Sequence, residues 1–155
     1  MLPDLQTELK QRKPFSSLEQ EAELAIARTA AILGHAFAEA FKPYGITSTQ
    51  YNVLRILRGA GKQGLCRHEV RDRLIRQVPD VTRLLDRMEE AELVERARDA
   101  ADRRLVTTRI TPEGLRILRR LDEPVAELHR RQLGHMNSQQ LRTLIELLAL
   151  ARGKR

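Results

Sequence analysis

Apolar residues recur at helical spacing over most of this chain, and only one short region has the composition of β-strands. A capping-box pattern at residues 16–19 precedes an alanine-rich run, which predicts a long helix ending before Pro43. A second capping-box pattern at residues 47–50 predicts a shorter helix. Residues 66–74 predict another short helix, followed by a tight turn and a helix with Pro79 at its first position.

A β-hairpin is predicted directly after that last helix. Residues 93–98 and 104–110 are rich in Val, Leu, Thr and Ile, and residues 99–102 between them suit a turn. Thr111 followed by Pro112 then predicts the start of a long helix, and a capping box at residues 137–140 starts a final one. Two short helices joined by a turn and followed by a hairpin are typical of a winged helix-turn-helix.

The helices at both ends carry more apolar surface than a small winged-helix core can cover. The simplest solution is that they pack against the same helices of a second subunit, although a monomer with its terminal helices folded back is the alternative. We expect a mostly α fold with a small β-hairpin wing and a helical dimerisation layer. Residues 1–44 form its N-terminal arm and dimerisation helix, 45–111 its DNA-binding domain, and 112–155 its C-terminal dimerisation helices.

The helix after Pro79 has an apolar face and a polar face. The polar face carries Thr82, Arg83, Asp86, Arg87 and Glu90. Arg103 and Arg104 lie at the predicted tip of the hairpin. Such a helix can enter the major groove of double-stranded DNA while the tip reaches the neighbouring minor groove. The polar face alone also fits a solvated surface, but the wing arginines favour contact with DNA.

Composition and charge add little to this interpretation. The 155 residues are 41% hydrophobic and 32% charged, as in a folded domain, and only 3% are aromatic, which argues against modules that stack single-stranded bases. The net charge is +7, yet residues 65–111 hold 11 basic and 10 acidic side chains. The case for DNA therefore depends on individual arginines. The acidic Glu89, Glu92 and Glu95 must face away from the phosphates.

The sequence also suggests several absences. We find no stretch with the length and apolarity of a membrane span and no signal-peptide core, and there is a single cysteine; these features predict a cytoplasmic protein without membrane contact. His68 and Glu69 begin a pattern resembling a zinc motif, but the second histidine is missing. Cys66 and His68 alone do not form a metal site. We predict no metal, no cofactor and no catalytic residues, hence no enzyme.

Cys66 offers a different possibility. It lies in the first turn of a predicted helix, where the helix N-terminus and the neighbouring Arg67 can stabilise a thiolate. A redox-responsive regulator is therefore one alternative function, against a buried or inert thiol. A helical module that binds another protein through the terminal helices is a second alternative, but it leaves the wing unexplained.

Together these segments resemble the MarR family of bacterial transcriptional regulators. GITSTQYNVLRIL (45–57) is similar to the family's second helix, and VPDVTRLLDRMEEAELVER (78–96) to its recognition helix. DRRLVTTRITPEG (102–114) is similar to its wing and the exit from it. This last segment is the most specific, because Asp-x-Arg followed by a strand that ends in Thr is the family's wing signature.

The resemblance implies a dimeric, ligand-responsive repressor that binds a pseudo-palindromic operator. It implies that the Asp102 carboxylate holds the guanidinium of Arg104, which enters the minor groove. It also implies that the first turn of the recognition helix contacts DNA through Pro79, Asp80, Thr82 and Arg83. Among these, Arg83 is the expected base reader. Arg87, one turn on, is expected to bind phosphate or to pair with Asp86.

Two further expectations come with the resemblance. A small aromatic or phenolic effector is expected between the dimerisation helices and the DNA-binding lobe, where Phe37, Tyr44 and Tyr51 can line a pocket, although core packing is the simpler role for each. Relatives also have Gly after the recognition helix where this chain has Glu92. If Glu92 keeps the left-handed backbone, the cost is about 1 kcal/mol.

Overall fold

The computed structural model describes residues 4–153, so residues 1–3 and 154–155 of the two predicted terminal regions lie outside the described part. The chain is mostly helical, with one small antiparallel sheet. Its elements in chain order are α1 (Leu5–Glu8), α2 (Leu18–Phe41), a 3-10 turn (Lys42–Tyr44), α3 (Ser48–Ala60), a 3-10 turn (Gly61–Gln63), β1 (Leu65–Cys66), α4 (Arg67–Arg73), α5 (Val81–Glu90), β2 (Val94–Arg98), β3 (Val106–Ile110), α6 (Pro112–Leu133) and α7 (Ser138–Arg152).

The main helices start where their capping residues predict. Thr47 and Asn137 form the two complete capping boxes expected of α3 and α7, and the Thr111 side chain accepts a hydrogen bond from Gly114 N–H at the start of α6. The cap of α2 is Ser17, one residue later than predicted, because Ser16 instead bonds to the Gln20 side chain. The short helix α1 was not predicted.

The sheet contains a strand that the sequence pattern did not reveal. β1 pairs with β3, so the strand order is β1–β3–β2, all antiparallel. Cys66 lies opposite Thr107 in this pairing, and α4 therefore begins at Arg67 and not at Cys66 as predicted. Because β1 has only two residues, it gives no alternating pattern to recognise.

One continuous apolar core joins the helix-turn-helix to the sheet and to α6. Its fully buried members include Leu54 and Leu57 of α3, Val70 of α4, Met88 of α5 and Leu118 of α6. Thr108 of β3 is also buried, at the junction with β1. The core therefore fixes α5 and the hairpin on one scaffold.

Gly114 allows α6 to approach the sheet closely. A Cβ atom at this position would lie 2.5 Å from the carbonyl oxygen of Leu93 and 2.8 Å from a side-chain carbon of Ile110. Only glycine fits without moving the backbone. From there α6 continues through Pro124 to Leu133.

The terminal helices are largely uncovered in the single chain. Of the 24 described residues of α2 only Phe41 is buried, and α7, which is wholly described, has no buried residue. The prediction that no stretch has the length and apolarity of a membrane span is wrong, because Leu18–Tyr44 is long and apolar enough. Only 6% of its most apolar 18-residue stretch is buried. The many alanines of this segment raise its apolarity without adding bulk.

Candidate nucleic-acid interface

The recognition helix α5 begins at Val81, because Asp80 provides its N-cap. An Asp80 carboxylate oxygen accepts a hydrogen bond from Arg83 N–H at 2.9 Å, and the extended backbone of Asp80 precedes the first helical turn. The prediction that Pro79 occupies the first helical position is therefore wrong, since Pro79 lies before the cap. Both residues remain at the exposed end of α5.

The two faces of α5 separate as predicted. Val81, Leu85 and Met88 are buried in the core. Arg83 and Arg87 are exposed, and Thr82 is half-buried. The structure thus brings both arginines to the solvent side of one short helix, one turn apart.

Arg96 on β2 joins the C-terminal half of α5 to the wing. Its guanidinium lies 2.7 Å from an Asp86 carboxylate oxygen and 2.6 Å from one of Glu89, and its backbone N–H donates to the other Glu89 oxygen at 3.1 Å. The expectation that Asp86 is a partner for Arg87 is therefore wrong: Asp86 pairs with Arg96. The sequence pattern could not reveal this cluster, because its members come from different elements.

Charge complementarity holds the cluster together. Hydrogen bonding to Arg96 lowers the pKa of the Glu89 carboxyl below its ordinary value, and the Glu89 partner raises the pKa of Arg96. One guanidinium thereby pairs with two carboxylates that belong to the recognition helix and offsets part of their negative charge. Arg83 and Arg87 remain the exposed arginines of that helix.

The wing tip is a hydrogen-bonded loop of residues 99–105. The Asp99 side chain accepts hydrogen bonds from the N–H groups of Ala101 and Asp102, which lowers its pKa, and Leu105 N–H donates to Asp102 O at 2.9 Å. The prediction that residues 104 and 105 belong to the second strand is wrong, since β3 begins at Val106. The turn extends because its side chains satisfy the local backbone.

Asp102 contacts the backbone of Arg104, whereas the resemblance implies a contact with its guanidinium. Its carboxylate accepts a hydrogen bond from Arg104 N–H at 3.0 Å. Arg103 and Arg104 are both exposed in the loop. The contact places the two arginines together at the tip, while their role on DNA stays a prediction.

Glu92 adopts the left-handed backbone that its position after α5 demands. Its φ angle is 58°, and the N–H groups of Glu92 and Leu93 donate to the carbonyls of Glu89 and Met88. This pattern is a Schellman C-cap, in which glycine is preferred at the Glu92 position. Thr111 anchors the same turn, because its hydroxyl donates to the Glu92 carbonyl at 2.6 Å. The wing therefore leaves α5 through a strained but well-bonded corner.

Arg67 is a further cation on this side of the molecule that the sequence reasoning did not assign to DNA. Its guanidinium Nη1 donates to the hydroxyl oxygen of Thr82 at 2.9 Å, which joins the first residue of α4 to the first turn of α5. Arg67 is exposed. The residues are 15 positions apart, so only the folded helix-turn-helix reveals their contact.

Cys66 does not have the environment expected of a reactive thiol. Its Sγ donates to a Glu69 carboxylate oxygen at 3.0 Å and lies 3.2 Å from the His68 ring nitrogens. Burial, followed by the hydrogen bond to Glu69, raises the pKa of the Cys66 thiol. The expected stabilisation of the thiolate is therefore wrong, since a carboxylate faces the sulfur. Within residues 4–153 we find no group of three or more His, Cys, Asp or Glu that could hold a metal ion.

The three candidate pocket aromatics pack against the core. Tyr51 stacks on Phe41 with ring centroids 4.4 Å apart, Phe37 lies 5.1 Å from the His129 ring, and the Arg120 guanidinium lies over Tyr44 at 5.2 Å. Two cavities of about 280 and 400 Å³ lie elsewhere, along α2 near the N-terminal arm. An effector site at the aromatics stays a prediction.

The helix α5 has a capped start and presents two exposed arginines, and the hairpin on the same core carries arginines at its tip. This arrangement defines a winged helix-turn-helix DNA-binding protein. Comparison with known proteins supports this class. The model of the MarR family matches residues 46–106. The uncharacterized HTH-type transcriptional regulator YsmB of Bacillus subtilis (strain 168) is 35% identical over 98 residues, which are 63% of this chain and 66% of that protein.

Solved structures extend the similarity over almost the whole chain. A MarR transcription factor from Planctomyces limnophilus is 40% identical, with 88% of this chain and 99% of that one covered and a TM-score of 0.66. A mutant MarR from E. coli complexed with operator DNA is 26% identical, with 88% and 99% covered and a TM-score of 0.77. The chain belongs to the MarR family of transcriptional regulators.

Proposed function

We propose that two copies of this chain bind a pseudo-palindromic operator in the cytoplasm and repress transcription, without enzymatic activity. Residues 45–111 form the reading domain in this proposal, and the flanking regions 1–44 and 112–155 form the dimer. The observation that carries the proposal is the common scaffold of α5 and the hairpin, which presents Arg83 and Arg104 from one rigid lobe.

The recognition helix supplies the major-groove contacts. Arg83 is exposed in its first turn, where a guanidinium can donate two hydrogen bonds to the O6 and N7 atoms of guanine. Arg87 is exposed one turn later and is suited to a phosphate. Asp80 acts by capping the helix, and Thr82 contacts the DNA backbone together with Pro79.

The wing supplies the minor-groove contact. Asp102 bonds to the backbone of Arg104 and so restricts the base of that side chain, which reduces the conformational entropy lost on insertion into the groove. Arg103 then binds the phosphates at the groove edge. Rigid attachment of the wing to α5 through Arg96 fixes the distance between the side chains that enter the two grooves.

A two-fold dimer explains the apolar surface that the single chain leaves exposed. Ile145, Leu147 and Leu150 of α7 are 64%, 58% and 77% exposed, and Leu18 of α2 is 81% exposed. Such residues on both terminal helices fit a self-complementary interface better than a solvated one. Two reading lobes can then contact half-sites about 10 bp apart.

A small aromatic or phenolic effector would act by changing the spacing of the two lobes. The lobe is joined to α6 by a bidentate ion pair from Arg58 to Asp122, at 3.0 and 2.8 Å. A ligand lodged near Tyr44 and Tyr51 would lie beside this connection. It can release DNA only if it binds the released arrangement more tightly than the DNA-bound one.

The direct test is a titration of the purified protein against the DNA upstream of its own gene, at two salt concentrations. We expect tight binding that weakens steeply with salt, because phosphate contacts release counterions. Arg104→Ala should weaken operator binding about 10–100-fold with the dimer still folded. Arg116→Ala, which removes a paired arginine on α6, is the matched control. Unchanged affinity of the Arg104 variant would refute the wing assignment.

A base-reading role for Arg83 has a separate signature. Arg83→Ala should cost about 1–3 kcal/mol of binding free energy and relax the preference at one base position of each half-site. Affinities for a panel of single-base operator variants measure this. An equal loss for every sequence would make Arg83 a phosphate contact instead.

A further inference from the structure

We propose that Arg67, together with Thr82, forms a phosphate clamp that joins α4 to the recognition helix on the DNA-bound protein. The inference rests on the DNA surface proposed above and adds a contact that lies outside α5 and the wing. It assigns the first residue of α4 a function in positioning the molecule on duplex DNA.

The geometry of the pair carries the inference. Arg67 Nη1 donates to Thr82 Oγ at 2.9 Å, so the guanidinium lies against the first turn of α5, on the same turn as Arg83. Arg67 remains exposed even with this bond. A guanidinium has five N–H donors in a planar fork, and the bond to Thr82 uses one of them. The others are available to a ligand with several acceptor oxygens.

The bond also directs the Thr82 hydroxyl. Because Thr82 Oγ accepts from Arg67, its own O–H hydrogen is free to donate elsewhere. A phosphate oxygen beside the first turn of α5 can therefore receive hydrogen bonds from both side chains at once. Phosphates are the partners to which arginine and threonine donate most often in protein–DNA complexes.

The neighbouring arginines of α4 differ in their surroundings. The Arg71 guanidinium lies 2.9 Å from an Asp72 carboxylate oxygen, and that of Arg73 lies 4.0 Å from Glu69. The partner of Arg67 is an uncharged hydroxyl, so its full positive charge is available to the phosphate. Arg71 thus serves as a control of the same charge on the same helix.

The experiment compares Arg67→Gln with Arg71→Gln in salt titrations of operator binding. Removing one arginine–phosphate bond should reduce the slope of log affinity against log salt by about 0.9, or about 1.8 for a dimer with both lobes bound. We expect this reduction for Arg67→Gln, with an affinity loss on the order of ten-fold at low salt that is equal for all duplex sequences. Arg71→Gln should change the slope much less.

Thr82→Val provides a second variant that keeps all charges. If the two side chains act as one clamp, Thr82→Val should weaken binding several-fold in the wild-type background and much less with Arg67→Gln already present. Additive losses would overturn the clamp. So would an unchanged slope for Arg67→Gln, an equal fall for Arg71→Gln, or a loss restricted to one base position. A wild-type protein that ignores duplex DNA would overturn the proposed function as well.

Discussion

The DNA-reading lobe of this protein buries its apolar residues within the single chain, whereas the terminal helices leave most of theirs exposed. In the lobe, α3 and α5 bury three residues each, and the core is continuous through the sheet. In the terminal region, α2 buries only Phe41, and α7, all of it described, buries nothing. The apolar residues of the lobe are covered within one chain, whereas we expect a second chain to cover those of the terminal helices. Folding of the reading head and pairing of two heads can therefore be tested separately.

The largest expected effect comes from a substitution in the terminal helices that leaves the reading lobe unchanged. Ile145→Glu places a carboxylate on the exposed apolar surface of α7, where a partner would have to bury it. We expect the dimer dissociation constant to rise at least about 100-fold, with operator binding lost alongside. Sedimentation equilibrium and operator titration measure the two effects.

Arg142→Glu is the matched control, since Arg142 is an exposed charged residue of the same helix, on the side that carries Glu146. It should leave the dimer intact. Circular dichroism should show a folded lobe in both variants. A dimer of Ile145→Glu as tight as the wild type would mean that this part of α7 is not the interface.

The next largest effect tests the reading lobe. Arg96→Gln removes the guanidinium that joins Asp86 and Glu89 to β2, and we expect operator affinity to fall about ten-fold because helix and wing lose their fixed relation. In this background Arg104→Ala should cost less than in the wild type. A double-mutant cycle measured by operator titration checks the coupling.

Arg98→Gln, on the same strand but with an exposed side chain, is the control for the change in charge. Arg96→Lys keeps the charge without the planar fork and should restore binding only in part. If Arg96→Gln lowers the thermal midpoint while its loss adds to that of Arg104→Ala, Arg96 stabilises the fold without positioning the wing.

A smaller effect concerns the corner between α5 and the wing. Glu92→Gly should raise the free energy of unfolding by about 0.5–1 kcal/mol, because glycine adopts the left-handed backbone without penalty. Urea denaturation at fixed protein concentration measures it. Glu90→Gly, in ordinary helical backbone two residues earlier, should be destabilising by a similar amount. Destabilisation by both changes would contradict strain at Glu92.

The smallest expected effect is at Cys66. A raised pKa keeps the thiol protonated at neutral pH, since charge appears only as pH approaches the folded pKa, and a protonated thiol reacts slowly with peroxide. Cys66→Ser should keep operator affinity within about two-fold, with or without peroxide. A large peroxide effect on the wild type that is missing from the variant would instead support a redox regulator.

The elements with their own local signals could be predicted from the sequence. The caps at Thr47, Thr111 and Asn137 and the amphipathic period of α5 each depend on neighbours in the chain, and the structure confirms them. The left-handed backbone at Glu92 was a conditional expectation from the family resemblance, and the structure has it. The strand β1 has only two residues, and it is recognisable as a strand only because it pairs with β3. Pro79 was misplaced because the Asp80 cap competes with it for the helix start.

The contacts that organise the candidate site depend instead on the folded arrangement. Arg67 meets Thr82 across the helix-turn-helix, and Arg96 meets Asp86 and Glu89 across the corner. In sequence these residues are polar or charged positions of a nearly neutral segment, and no periodicity distinguishes them from a solvated face. The alternative of a stabilised thiolate at Cys66 also follows from helix position alone, whereas the folded arrangement places the Glu69 carboxylate as acceptor for its sulfur, which fits the inert thiol.

The central claim is that paired chains present two identical reading heads to one operator. The most direct measurement is the mass of the protein–operator complex by analytical ultracentrifugation, with a duplex spanning two half-sites and another holding one. We predict two chains on the full operator and markedly weaker binding to the half-site duplex. A complex of one chain per full operator, with equal affinity for the half-site, would contradict the claim.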